Sequence, residues 1–76
     1  MPRACVLLNL ELGSEEKVLN EMRTLPHVKE CYPVYGVYDM VVIVEADSMP
    51  ALRETVAVKI RRLEGVRSTF TMIIVE

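Results

Sequence analysis

The chain repeats itself at an offset of 38 residues, half of its 76. Met22-Arg23-Thr24-Leu25-Pro26-His27-Val28-Lys29 lines up with Ile60-Arg61-Arg62-Leu63-Glu64-Gly65-Val66-Arg67. Tyr32 falls on Phe70, Val18 on Val56 and Glu16 on Glu54. The likeness is modest in identity but runs through apolar, basic and turn positions together. Each half is therefore expected to build the same supersecondary unit, and neither half is long enough to bury a core alone.

Local signals identify that unit as strand–helix–strand. Residues 5–10 read as strand one, ended by Leu12-Gly13-Ser14. Ser14 is a good N-cap, and Glu15 and Glu16 follow in the first turn, where the helix dipole favours acids. Val18, Leu19 and Met22 mark the apolar stripe of helix one, which Leu25 closes before Pro26. Residues 28–34 and 40–45 are strands two and three. Asp47-Ser48 opens helix two, with Pro50 tolerated in its first turn. Met49, Leu52, Val56, Ile60 and Leu63 recur every three or four residues, giving one buried face. Gly65 stops that helix, and residues 67–75 form strand four. Two right-handed crossovers in this order predict an α+β, ferredoxin-like βαββαβ domain over residues 1–76. Its four-stranded antiparallel sheet has the order 4-1-3-2, with both helices on one face. Strand three then separates Cys5 from Cys31, so the two read as small apolar strand residues rather than a disulfide or metal pair.

The strands carry a second message. A sheet covered on one face alternates apolar and polar residues, yet Met40-Val41-Val42-Ile43-Val44 does not alternate. Val6-Leu7-Leu8 and Met72-Ile73-Ile74-Val75 are also apolar on both sides, and 51% of the chain is apolar. Two helices cover one face only. The other is expected to pack on the same face of a second copy, as a sandwich about a two-fold axis. The net charge of −2 and the absence of a basic block argue against direct nucleic-acid binding. Lys59, Arg61, Arg62 and Arg67 are the one local basic concentration and read as a solvated helix end. No apolar run is long enough to span a membrane, and Met1-Pro2-Arg3 leads into a strand without a signal peptide. The expected location is the cytoplasm.

Little here points to catalysis. The chain has no Gly-rich loop before a helix, no HExxH, no serine elbow and no metal-ligand cluster, so no cofactor is expected. His27 reads as a surface residue of a helix-to-strand turn. Glu15 and Glu16 complement a dipole, and Glu11-Leu12-Gly13-Ser14 lacks the arginine an acylphosphatase loop needs. What remains is Tyr35-Gly36-Val37-Tyr38-Asp39, between strands two and three, and Ser68, Thr69 and Thr71 at the start of strand four. Gly36 suits a positive backbone angle and leaves bare backbone for a ligand. Asp39 offers a fixed negative charge, and the two phenols combine apolar area with a hydrogen-bonding tip. The same residues also suit an ordinary turn, with Asp39 capping it in an Asx-type arrangement and the hydroxyls serving strand propensity at an edge. Both readings stand on the residues alone.

Three stretches in order, Leu25-Pro26-His27-Val28, Gly36-Val37-Tyr38-Asp39, and Leu63-Glu64-Gly65-Val66 followed by Ser68-Thr69-Phe70-Thr71, resemble one family. The chain is similar over its whole length to the effector-binding domain of the leucine-responsive/asparagine-regulator (Lrp/AsnC) transcription factors, the RAM module (regulation of amino-acid metabolism). The resemblance implies a domain that dimerises through its sheets, with dimers joining into octameric rings. It implies amino acids or related small effectors bound between dimers near the hairpin. Carried onto this chain, the backbone at Gly36 and its neighbours meets the effector's carboxylate, Asp39 pairs with its ammonium group, and Thr69 or Thr71 adds hydroxyl contacts. Full-length members carry an N-terminal helix-turn-helix, whereas here strand one follows Met1 at once. The chain therefore resembles the stand-alone RAM proteins, expected to act on transcription by co-assembly with full-length relatives. The amino-acid-sensing ACT domain shares the topology and places its site by the loop near Gly13. A purely structural assembly module without ligand is the third reading.

Overall fold

The computed structural model describes residues 1–75. Its elements run β1 (Arg3–Leu10), α1 (Glu15–Met22), β2 (Val28–Pro33), β3 (Met40–Glu45), α2 (Met49–Glu54), a π-helical continuation of α2 (Thr55–Ile60), and β4 (Val66–Ile74). All strand pairs are antiparallel and their order is β2-β3-β1-β4, as the two right-handed crossovers require. The ferredoxin-like plan is as expected, with strand ends shifted by one or two residues.

One face of the sheet is sealed. Ala4, Val6, Leu8 and Leu10 of β1 and Met40, Val42 and Val44 of β3 are buried with Val18 and Met22 of α1 and Leu52, Val56 and Ile60 of the second helix. The opposite face is apolar but uncovered. Cys5 and Leu7 pair with Ile43 and Val41 on one side and with Met72 and Phe70 on the other. Tyr32 pairs with Val41 in the same layer. Tyr32, Phe70 and Met72 remain 50%, 53% and 43% exposed. Cys31 pairs with Val42 and so lies on the sealed face, its Sγ 3.4 Å from the Met40 sulfur. Both cysteines are free, and burial pushes the Cys31 thiol up from its ordinary value.

The repeat is structural. Val18 and Val56 are both buried, as are Met22 and Ile60, while Tyr32 and Phe70 share the open face. After each helix the Leu25 and Leu63 N–H groups donate to Met22 and Ile60 carbonyls, and Val28 and Val66 donate to Leu25 and Leu63. The same turn forces a positive φ at its equivalent residues, +75° at His27 and +104° at Gly65.

Two local readings change. Helix α1 ends at Met22 rather than at Leu25. The Thr24 N–H and hydroxyl both turn back onto the Glu21 carbonyl, and Leu25 bonds three residues back, which tightens the chain out of the α-helix. Ser14 holds the N-cap position but does not cap. Its hydroxyl donates to the Glu11 carbonyl at 2.6 Å and to the Gly65 carbonyl at 3.3 Å. It thereby ties the β1–α1 loop to the α2–β4 loop, where Glu11 N–H also donates to Gly65 at 2.7 Å. Ser48, by contrast, caps α2 as expected by accepting from Ala51 N–H at 3.3 Å.

Candidate functional site

The loop from Val34 to Asp39 closes with the Val34 N–H donating to the Asp39 carbonyl at 3.0 Å. Gly36 sits at its tip with φ +148°, and a Cβ added there would meet nothing within 4 Å. The backbone angle, not crowding, favours glycine, and the peptide groups around it stay open to approach. Tyr35 and Val37 project into solvent on either side. Asp39 is half-buried and anchored twice to β1. Its N–H donates to the Leu8 carbonyl and its Oδ2 accepts from the Leu10 N–H, both at 2.8 Å. The carboxylate therefore does not cap its own turn in an Asx arrangement; it carries the β3–β1 pairing one step beyond Met40. Tyr38 stacks on Phe70, with ring centroids 6.4 Å apart and planes 25° from parallel.

The strand-four hydroxyls divide between the two faces, as the period of two dictates. Ser68 lies on the open face and accepts from Asn9 Nδ2 at 3.3 Å. Thr69 and Thr71 point to the helix side, opposite Leu8 and Val6. There they line a cleft of about 230 Å³ between β4 and the second helix, with Leu52, Val56 and Ile73 as apolar wall and Arg53 and Arg61 at its margin. Within one chain, then, the residues expected to form one site occupy three places. Tyr38 and Asp39 meet the β1–β4 end of the open face, Ser68 lies beside Asn9, and Thr69 and Thr71 open onto the helix-side cleft.

Arg53 and Arg61 did not stand out in the sequence as site residues. The intervening Thr55–Ile60 is π-helical, so α-helical spacing does not reveal that both line the one cleft. Neither forms an ion pair with a described residue. A second concavity of about 270 Å³ lies beside Gly13, lined by Glu11, Ser14, Lys17, Glu64 and Gly65. Its charges answer one another, since Lys17 Nζ and Glu64 Oε1 are 2.6 Å apart. That hydrogen bond raises the Lys17 ammonium and lowers the Glu64 carboxyl from their usual values. Among the described residues no group of histidines, cysteines and acids is placed to hold a metal ion. None of the described helices is long and apolar enough to cross a membrane.

The family model for the Lrp/AsnC ligand binding domain matches residues 3–76. The chain belongs to this family. Lrp/AsnC ligand-binding domains are regulatory modules of transcription regulators and not an enzyme family. A search of curated proteins found no match. Among solved structures, a hypothetical protein from Pyrococcus horikoshii is 37% identical, with a TM-score of 0.92 over 100% of this chain and 92% of its own. A protein from Thermus thermophilus is 32% identical, with a TM-score of 0.92 over 100% of this chain and 95% of its own. A transcriptional regulator from Neisseria meningitidis, solved with L-Met, shares the fold at 16% identity and a TM-score of 0.84. This chain spans 50% of that regulator's length.

Proposed function

We propose that this Lrp/AsnC domain is a sensing and assembly module for amino acids or related small effectors, acting on transcription by assembling with full-length regulators of its family and not by touching DNA itself. The observation that carries the reading is the match of residues 3–76 to a ligand-binding family, in a chain whose hairpin tip presents open backbone at Gly36 beside a fixed carboxylate at Asp39. An α-amino acid needs donors for its carboxylate and an anion for its ammonium group. The peptide N–H groups near Gly36 and the second oxygen of Asp39 are suited to those tasks, with hydroxyls of Ser68, Thr69 or Thr71 supplied across a subunit seam. The L-Met bound to the Neisseria meningitidis regulator is in keeping with this chemistry. So is the residue distribution: hairpin and strand-four hydroxyls that stand apart in one chain come together only if a neighbour contributes one of the two sets.

The uncovered sheet face supports the assembly half of the proposal. Cys5, Leu7, Val41, Ile43, Phe70 and Met72 form a continuous apolar layer across three strands, of the kind that marks a protein interface. A second copy packed on this face would bury it, and the cytoplasm is the compartment such a regulator works in. The decisive experiment is a thermal-shift screen of the common amino acids on the whole chain, repeated with Asp39→Asn. Asparagine keeps an acceptor for the Leu10 N–H but loses the charge. A ligand at a hundredfold its dissociation constant adds about 2.7 kcal/mol to stability. The expected result is a shift for at least one amino acid that Asp39→Asn removes. A shift that survives the substitution but is lost on disturbing the Gly13 loop would favour the ACT-like site, and no shift at all would favour a structural module.

A further inference from the structure

The effector site proposed above leaves two charges without a task. The peptide groups around Gly36 take the α-carboxylate, Asp39 takes the ammonium group, and a neighbouring copy adds a hydroxyl of β4. Thr69 and Thr71 open onto the α2–β4 cleft, so the part of the effector that reaches them is its side chain. That side chain meets Arg53 and Arg61 at the margin of the cleft, and no acidic residue lines it. Neither arginine forms an ion pair with a described residue. Cations elsewhere on the domain are answered: Lys17 Nζ lies 2.6 Å from Glu64 Oε1, and Arg67 Nε lies 3.8 Å from Glu11 Oε2.

The lining selects among side chains. Leu52, Val56 and Ile73 offer apolar wall to a short run of methylenes. At about 230 Å³ the cleft is below the roughly 300 Å³ at which drug-sized pockets begin, which is room for one short side chain. The threonine hydroxyls can donate to an oxygen, and a guanidinium fork matches a carboxylate in two parallel hydrogen bonds. A lysine or arginine side chain would bring a third cation to the two already present. A leucine side chain would find the apolar wall but gain nothing from the guanidinium groups. A carboxylate on a two-methylene stem uses wall, hydroxyls and arginines together.

We infer that the effector is an acidic α-amino acid, glutamate or a close relative, whose side-chain carboxylate is held by Arg53 and Arg61 on the copy that supplies the hydroxyls. The inference rests on the hairpin reading and adds its selectivity. The charge of the two arginines, rather than the shape of the cleft, separates glutamate from glutamine, which has nearly the same size.

The test is calorimetric titration of the whole chain with glutamate, glutamine and leucine in parallel. The expected result is saturable binding of glutamate, about tenfold tighter than either of the others. Arg53→Gln and Arg61→Gln should each weaken glutamate several-fold, leave glutamine nearly unchanged and keep the melting temperature of the unliganded chain. That narrowing of the glutamate-to-glutamine ratio is a readout that a merely structural arginine does not move. Asp39→Asn should remove the binding of all three. Glutamine or leucine binding as tightly as glutamate, with the dependence on Asp39 kept, would overturn the inference and leave the hairpin reading intact. Leucine binding that falls with either arginine substitution would overturn it as well, since the arginines would then hold the α-carboxylate. No glutamate binding up to roughly 10 mM would overturn it whatever else binds; only the absence of a shift for every amino acid would remove the hairpin reading too.

Discussion

The first helix–strand pair, α1 on β2, and the second, α2 on β4, start from the same pattern and are packed differently. In the first, Leu19 and Cys31 pack against the core, and the outer edge of the sheet carries Lys29, Glu30 and Pro33, residues that discourage further pairing. In the second, Ala57 lines an open cleft, and β4 runs from Ser68 to Ile74 without a charge. Proline and charge mark the closed edge; hydroxyls, aromatic and aliphatic side chains mark the open one. A repeated unit can thus differ at its outer positions, because the core positions Val18/Val56 and Met22/Ile60 are satisfied in both.

The sharpest way to break that equivalence is at the turn after each helix. At Gly65 a Cβ would lie 2.8 Å from Ser14 Cβ and 3.0 Å from Val18 Cγ2, at a φ of +104°. Gly65→Ala should cost about 2–4 kcal/mol in urea denaturation, from backbone strain and overpacking together. The equivalent His27 already bears a positive φ of 75°. His27→Gly removes a left-handed penalty of roughly 1–2 kcal/mol but loses more chain entropy, for a net gain near 0.5 kcal/mol. Equal effects at the two sites would mean that the turns are not held alike.

A smaller effect tests the filled and open gaps. Leu19→Ala should destabilise by about 1–2 kcal/mol, less than a fully buried leucine because Leu19 is partly exposed. Ala57→Leu should be neutral or gain a few tenths of a kcal/mol as its side chain settles on Val56 and Ile73. A large loss from Ala57→Leu would show that the cleft is narrower than its lining implies.

The smallest effect lies in the ion pair that joins the halves, Lys17 to Glu64. Hydrogen bonding to Lys17 lowers the Glu64 carboxyl below its ordinary 4.5. Whatever the pair contributes is present above that value and lost as pH falls through the depressed folded-state value. Both groups face solvent, so the contribution is slight and screened by salt. Melting temperature followed from neutral pH down through the carboxylate range should show Glu64→Gln parallel to the unmodified chain at acid pH and marginally below it near neutrality, at low salt only.

Most of the fold was legible in the sequence, because apolar period and crossover handedness leave few alternatives for two strand–helix–strand units. Ser14 shows where local reading stops. Its position at the helix start was evident, but the direction of its hydroxyl depends on the Gly65 carbonyl, 51 residues away. Asp39 is similar, since its bond to the Leu10 N–H crosses from β3 to β1 and no turn rule anticipates it. The strand-four hydroxyls were visible as a group, yet the pleat sends Ser68 to one face and Thr69 and Thr71 to the other. The cleft was the least legible feature. It is lined by Ala57 where the first half has Leu19, and by two arginines of which only Arg61 belonged to the basic concentration read as a solvated helix end.

The measurement that bears most directly on the account is a crystal structure of the chain grown with the amino acid that gives the largest thermal shift. The account predicts ligand density at a subunit seam, with the carboxylate on the peptide groups around Gly36, the ammonium group on Asp39, and a hydroxyl of Ser68, Thr69 or Thr71 supplied by the neighbouring copy. Density beside Gly13, with nothing bound at the hairpin, would contradict it.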